Sequence, residues 1–193
     1  TTEVGYMLQQ DYLFPWKTIF NNILLGPKIQ KQITSETIRQ ARKLLNDVQL
    51  SHTENDYPTS LSGGMRQRVA LVRTLMTDPE ILLFDEPFSA LDYVTKLQLE
   101  NVVHKLMKTY RKTVILVTHD IAEAISMSDR IFLMGTSPGS IKKTFVIPDV
   151  LRRIEPFYVR RHEDYRPLFD EIWHEFQQTD AMKEGATNEA NKG

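Results

Sequence analysis

Two adjacent carboxylates follow a short apolar run near the middle of the chain. Residues 81–84 read Ile-Leu-Leu-Phe, and Asp85 and Glu86 come directly after them. The run does not alternate between polar and apolar residues, which is typical of a strand buried on both faces of a parallel sheet. The carboxyl ends of such strands form the edge where these sheets bind ligands. Neighbouring strand residues point to opposite faces, so one acid could hold a metal ion and the other a water molecule.

A glycine-containing turn precedes this strand. Residues 61–69 read Leu-Ser-Gly-Gly-Met-Arg-Gln-Arg-Val, and the turn Ser62-Gly63-Gly64 is predicted to open a helix. Glycines let backbone N–H groups approach an anion without a Cβ in the way, and a helix start adds partial positive charge. Alone, these residues could be a simple helix cap. Their place before the acidic strand favours a phosphate site.

Three other positions offer polar groups at predicted element ends. Gln9 follows a short apolar strand and is preferred over its neighbour Gln10, which remains the alternative. Asp92 ends the run Ser-Ala-Leu-Asp and opens a long helix, so an ordinary N-cap is an equally good description. His119 follows the apolar run 113–118, and its imidazole can donate or accept a hydrogen bond near neutral pH.

These motifs, in this order, resemble those of ATP-binding cassette (ABC) ATPases, and the resemblance covers about residues 3–147. It implies the cofactors ATP and Mg²⁺. It also implies a catalytic group in which Asp85 holds the Mg²⁺ shell, Glu86 polarises the attacking water and His119 senses the γ-phosphate. Gln9 would reach both the Mg²⁺ and the water.

The resemblance further implies a homodimer with a second ATPase subunit. In that arrangement Ser62, Gly63 and Gly64 close on the γ-phosphate held by the partner, and Asp92 couples the two sites. One position departs from the family pattern, because Met65 stands where Gln is frequent. A thioether cannot donate a hydrogen bond, so any such contact must come from Ser62 and main-chain groups.

The family binds phosphates with a P-loop, G-x-x-x-x-G-K-S/T, and no such run occurs in the chain. Residues 1–9 resemble the strand and glutamine loop that come after the P-loop helix. We therefore expect an N-terminally truncated cassette that is inactive as it stands. A non-catalytic dimerisation or binding module is the alternative, and a non-transport cassette of DNA repair or translation is a third possibility.

Pro15 and Trp16, just after the glutamine loop, resemble the nitrate, sulfonate and taurine group of bacterial importers; a packed hydrophobic connector would be the simpler interpretation. The importer resemblance implies a subunit that drives uptake of a small anion. Its partners would be transmembrane permease subunits and, indirectly, a solute-binding protein. The implied location is the cytoplasmic face of the cell membrane.

The elements that must position these residues alternate between strands and helices, which predicts an α/β fold with a mainly parallel sheet, a partial P-loop NTPase fold. Strands are predicted at residues 4–8, 81–84, 113–118, 130–134 and 142–147. Helices are predicted at 34–48, 64–77, 91–110, 120–127 and from 165 to 176. The expected organisation is an ATPase domain at 1–147 with a helical subdomain at about 10–79, a helical extension at 148–178 and a disordered tail at 179–193.

The composition is that of a globular chain able to bury one core, with 193 residues, 41% of them hydrophobic and 25% charged. The net charge of −1 gives no electrostatic reason to propose a nucleic-acid partner. Cysteine is absent from the sequence, which excludes disulfides and thiolate metal sites within it.

Overall fold

The structure is a computed structural model that describes residues 3–136 and 139–190. The chain divides into two compact units, the first ending at Val117 and the second beginning at Thr118. This division falls before the expected domain boundary at residue 147. The predicted helical extension at 148–178 lies wholly within the second unit.

A three-stranded parallel sheet organises the first unit. Its strands are β1 (Val4–Met7), β2 (Ile81–Asp85) and β3 (Thr113–Val117), in the order β1-β2-β3. Both pairings are parallel, so each connection must cross over the sheet, and helices supply these crossovers. The predicted α/β fold with a parallel sheet is confirmed.

Helices fill both connections of this unit. Between β1 and β2 lie α1 (Ile19–Ile23), α2 (Leu25–Ile29), α3 (Ser35–Asp47) and α4 (Gly63–Leu75). Short 3₁₀ turns at Ser51–Thr53 and Pro58–Ser60 lie between α3 and α4. Helix α5 (Tyr93–Tyr110) joins β2 to β3.

The two faces of the parallel sheet differ in burial. Leu82 and Phe84 are fully buried on one face, together with Met7. On the other face, the side chains of Val4, Tyr6, Ile115 and Val117 are 48–52% exposed. Ile81 and Leu83 are only partly buried. The expectation that residues 81–84 are buried on both faces is therefore wrong for this chain, although the apolar run itself is a strand.

The second unit combines a β-hairpin with helices. It contains α6 (Ile121–Met127), β4 (Arg130–Thr136), β5 (Gly139–Val146), α7 (Asp149–Arg152), α8 (Pro156–Val159) and α9 (Tyr165–Ala190). Strands β4 and β5 pair antiparallel, with a register shift between Leu133 and Met134. The predicted sheet was mainly parallel, and this pair is antiparallel because the connection between its strands is too short for a crossover.

Helix α9 belongs to the core of the second unit. Its Ile172 is buried with Leu133 and Phe145 of the hairpin, and α6 contributes Ile125. Helix α9 carries a row of four aromatic rings, from Tyr165, Phe169, Trp173 and Phe176. The centroids of successive rings are 5.8, 6.5 and 6.1 Å apart.

The helix continues to Ala190, which differs from the disordered tail predicted from residue 179; residues 191–193 lie outside the described part. Residues 179–190 are poor in apolar side chains but rich in the helix formers Ala, Glu, Lys and Met, so a running helix can propagate through them. Over the described residues, no helix has the length and apolar character needed to span a membrane.

Candidate functional site

The end of β2 places two carboxylates at the carboxyl edge of the parallel sheet. Asp85 is the last residue of β2, and Glu86 follows it with a φ of 47°. A non-glycine residue in this left-handed region costs roughly 1–3 kcal/mol and needs support from its surroundings. The Glu86 main chain has that support. Its N–H donates to the Val117 carbonyl at 2.9 Å, and its carbonyl accepts the Ser89 hydroxyl at 2.9 Å.

A tyrosine from the neighbouring strand contacts the first carboxylate. The Tyr6 hydroxyl donates to Asp85 Oδ2 at 3.0 Å. This hydrogen bond to a negative acceptor raises the pKa of Tyr6, so the phenol stays protonated and remains a donor. Asp85 is thus oriented by a group that the sequence analysis did not identify. Tyr6 and Asp85 are 79 residues apart along the chain, so no local pattern in the sequence pointed to this contact.

One cleft brings the glutamine loop and both carboxylates together. It has a volume of about 230 Å³ and is lined by Leu8, Gln9, Gln10, Tyr12, Asp85 and Glu86. Both glutamines line it, so the preference for Gln9 over Gln10 stays a prediction. The main-chain carbonyl of Gln9 is held by the side-chain amide of Gln67.

The Ser62-Gly63-Gly64 turn begins α4. The Ser62 hydroxyl accepts a hydrogen bond from the Met65 N–H at 3.3 Å, so the predicted cap is present. The two glycines differ in their surroundings. A Cβ at Gly63 would have Leu91 Cδ2 as its nearest neighbour, at 3.6 Å, whereas a Cβ at Gly64 would overlap Thr95 Cγ2. Gly64 is therefore required for close packing against α5.

Asp92 lies at the start of α5 and is hydrogen-bonded to Thr95, the residue that packs on Gly64. Its Oδ1 accepts the Thr95 N–H at 3.0 Å, which makes it the N-cap of α5. Hydrogen bonds from Thr95, through its side chain and its N–H, lower the pKa of Asp92. The cap interpretation is confirmed. The Ser62–Gly64 turn and Asp92 are thus neighbours, joined through Thr95.

His119 lies in the second unit, directly before the N-cap of α6. That cap is Asp120, whose Oδ1 accepts the N–H groups of Ala122 and Glu123 at 2.8 and 3.1 Å. The Asp120 N–H in turn donates to the Thr118 hydroxyl at 3.0 Å. The role of His119 as a γ-phosphate sensor remains a prediction.

The donor set of the cleft suits Mg²⁺. Asp85 and Glu86 offer carboxylate oxygens and Gln9 an amide oxygen, and Mg²⁺ prefers oxygen ligands. It is usually held by one or two carboxylates, with phosphates and water completing the octahedron. Within residues 3–136 and 139–190, no group of three or more His, Cys, Asp or Glu residues could hold a metal ion.

Comparison with known proteins identifies the same family that the motifs resemble. Residues 1–89 match the family described as ABC transporter. Over 172 residues, the chain is 55% identical to YtlC, an ABC transporter ATP-binding protein of Bacillus subtilis, covering 89% of this chain and 66% of that protein. The chain belongs to the ABC transporter ATP-binding family.

Other relatives of this chain have names that state a solute. It is 43% identical over 128 residues to the aliphatic sulfonates import ATP-binding protein SsuB 1 of Rhodococcus jostii, covering 66% of this chain and 49% of the relative. It is 42% identical over 151 residues to the choline transport ATP-binding protein OpuBA of Bacillus subtilis, covering 78% and 39%. The chain therefore spans between 39% and 66% of the length of these curated relatives.

A solved structure supports the fold. One chain described as part of an ABC transporter in an inward-facing conformation superposes with a TM-score of 0.66 at 22% identity. The match covers 76% of this chain and 59% of that chain. At this identity the likeness concerns the fold alone, and it agrees with a partial P-loop NTPase architecture.

Proposed function

We propose that this chain is part of an ATP-hydrolysing subunit of a bacterial ABC importer. The observation that carries the proposal is the cleft at the carboxyl edge of the parallel sheet, where Asp85, Glu86 and the glutamine loop meet. Ligands of open α/β sheets bind at this edge. Family membership adds that the ligand is ATP.

In the proposed reaction, water attacks the γ-phosphate in line, and bound Mg²⁺ supplies neutralisation of the phosphate charge. The Glu86 carboxylate accepts a hydrogen bond from the attacking water and orients it. Asp85, which accepts the Tyr6 hydroxyl, would hold the Mg²⁺, and the Gln9 amide would contact both the Mg²⁺ and the attacking water. Main-chain hydrogen bonds to Val117 and Ser89 hold the left-handed turn at Glu86 from which its carboxylate extends.

A second copy of the subunit completes each site in this proposal. The Ser62–Gly64 turn would donate N–H groups to the γ-phosphate bound by the partner, because a helix start favours an anion. Asp92, adjacent to that turn through Thr95, would couple the two sites. His119 would contact the same phosphate.

The importer assignment rests on the relatives and on the segment after the glutamine loop. Trp16 is 71% exposed and lies 5.1 Å from the Phe14 ring, which suits a surface that a transmembrane permease subunit covers. We propose a small anion, of the nitrate, sulfonate or taurine type, delivered by a solute-binding protein to the permease. The subunit would then act at the cytoplasmic face of the membrane, as a peripheral protein.

A second candidate is favoured by one observation, the absence of a P-loop among these residues. In this second candidate, the chain is a binding module that keeps the dimer and permease surfaces without turnover. We expect phosphate release from ATP at background rate for this chain. A Mg²⁺-dependent rate that disappears in Glu86→Gln would show that the P-loop is dispensable.

The catalytic proposal is tested in a protein with a P-loop segment placed ahead of Thr1. Glu86→Gln keeps size and shape but removes the negative charge that polarises water, so we expect turnover to stop while an ATP-bound dimer accumulates. Ser62→Arg places a bulky cation at the turn, so ATP loads but the dimer fails to close. Light scattering with and without ATP separates the two variants. Equal ATP-dependent dimerisation of both would refute the role assigned to the turn.

A further inference from the structure

Helix α4 holds the main chain of the loop that carries Gln9. The guanidinium of Arg73 donates from Nη2 to the Asp11 carbonyl at 2.6 Å and from Nη1 to the Tyr12 carbonyl at 2.7 Å. Two consecutive carbonyls thus share one planar fork, a geometry that arginine provides and lysine does not. These partners are 62 and 61 residues apart along the chain.

A second arginine, about two helical turns earlier in α4, links this loop to the Ser62 turn. Arg66 Nε donates to Asp11 Oδ2 at 2.9 Å, and its Nη1 donates to the Leu61 carbonyl at 2.8 Å. Leu61 directly precedes Ser62. Arg66 therefore bridges the start of the phosphate turn and the loop, and residues 66 and 73 lie on the same face of α4 because they are two turns apart.

The loop conformation needs this support. Tyr12 has a φ of 44°, in the left-handed region that non-glycine residues rarely adopt. The Asp11 carboxylate also accepts the Leu13 N–H at 3.0 Å, so one residue receives bonds from Arg66, Arg73 and its own turn. Charge-assisted hydrogen bonds of this kind are roughly twice as strong as neutral ones.

We propose that Arg66 and Arg73 of α4 form a clamp that makes the Ser62–Gly64 turn and the Gln9–Tyr12 loop move together. Arg73 is a positioning residue in this inference, since its guanidinium hydrogen-bonds to the main chain of the loop. A phosphate contact at the turn would then be transmitted to the side of the cleft that carries Gln9, opposite the carboxylates of β2. The effect of the clamp on catalysis rests on the proposed ATPase function. The existence of the clamp does not depend on that function.

The clamp is tested first without nucleotide, by hydrogen exchange in the chain as given. Arg73→Lys keeps the charge but removes the fork, so we expect the Leu13 amide to exchange about tenfold faster, the size of one charge-assisted hydrogen bond. Arg39→Lys is the matched control, because Arg39 is an exposed residue of α3 paired with Glu36. Unchanged exchange at Leu13 would overturn the clamp. Equal acceleration at Phe84 in β2 would overturn it too, since Arg73 would then only stabilise the fold.

A second variant approaches the same link from the turn. Arg66→Lys can keep one bond to Asp11 but not the bond to the Leu61 carbonyl as well, so we expect about threefold faster exchange at Leu13. This variant keeps the test informative should Arg73→Lys not fold. Exchange at wild-type rate in Arg66→Lys would contradict a link through Leu61.

Kinetics then separate the clamp from the proposed function. In the protein that carries a P-loop ahead of Thr1, Arg73→Lys should lower kcat about tenfold and leave KM for Mg·ATP within about twofold, because loop placement acts on the chemical step. An unaltered kcat in the variant would overturn the positioning role while the ATPase function stands. If the wild-type protein does not hydrolyse ATP, the proposed function fails, and the exchange result still decides the clamp.

Discussion

Replacing each of the two glycines at the start of α4 by alanine should have different effects on stability. Gly63 and Gly64 are the first two residues of the helix, and neither has a positive φ. The gain in helix propensity from Gly→Ala is therefore similar at both positions and cancels in their difference. The steric term remains, because only at Gly64 does the added Cβ overlap Thr95 Cγ2.

The size of this difference follows from overpacking. Forcing an extra methyl into a packed contact typically costs about 1–3 kcal/mol. Thr95 cannot move aside easily, because it is β-branched and its N–H is bound by Asp92. We therefore expect Gly64→Ala to unfold with a free energy about 1–3 kcal/mol lower than that of Gly63→Ala. Urea denaturation of the two variants measures this directly.

A rescue variant isolates the cause. Thr95→Ser removes the overlapping methyl and keeps the hydroxyl that bonds to Asp92. Combined with Gly64→Ala it should recover most of the lost stability, whereas alone or with Gly63→Ala it should be mildly destabilising. The coupling between Gly64→Ala and Thr95→Ser should therefore fall in the range of about 0.5–3 kcal/mol. Equal stability of both alanine variants, or a coupling near zero, would refute the packing argument.

Two further predictions concern other parts of the first unit. Burial and a hydrogen bond to Asp47 raise the pKa of Tyr110 to about 12, so its contribution to stability is present below about pH 10 and is lost as the pH rises towards 12. In Tyr110→Phe, the urea midpoint should therefore decline less over this pH range than in the wild-type chain. An identical decline in both proteins would contradict the prediction. The exposed apolar sheet face should make the chain associate as its concentration rises, and Ile115→Thr with Val117→Thr should reduce this in size-exclusion chromatography with light scattering. A wild-type chain that stays a monomer at all concentrations would disprove this second prediction.

Local interactions explain what could be predicted from the sequence alone. The caps at Thr34, Ser62, Asp92 and Asp120 each bind an N–H group two or three residues further along, so their partners are encoded nearby. The acidic end of β2 could likewise be predicted, because an apolar run followed by two carboxylates is a contiguous pattern. The order of these motifs along the chain was sufficient to predict the family.

Long-range geometry was decided only by the tertiary structure. The antiparallel pairing of β4 with β5, and its register shift between Leu133 and Met134, appeared only in the structure. The partly exposed face of β2 depends on what packs against it, which an apolar run does not specify. The clamp from Arg73 to Asp11 and the bond from Tyr6 to Asp85 join residues more than sixty positions apart. Such pairs follow from strand register and helix placement, and a single sequence read along its length contains no local signal of them.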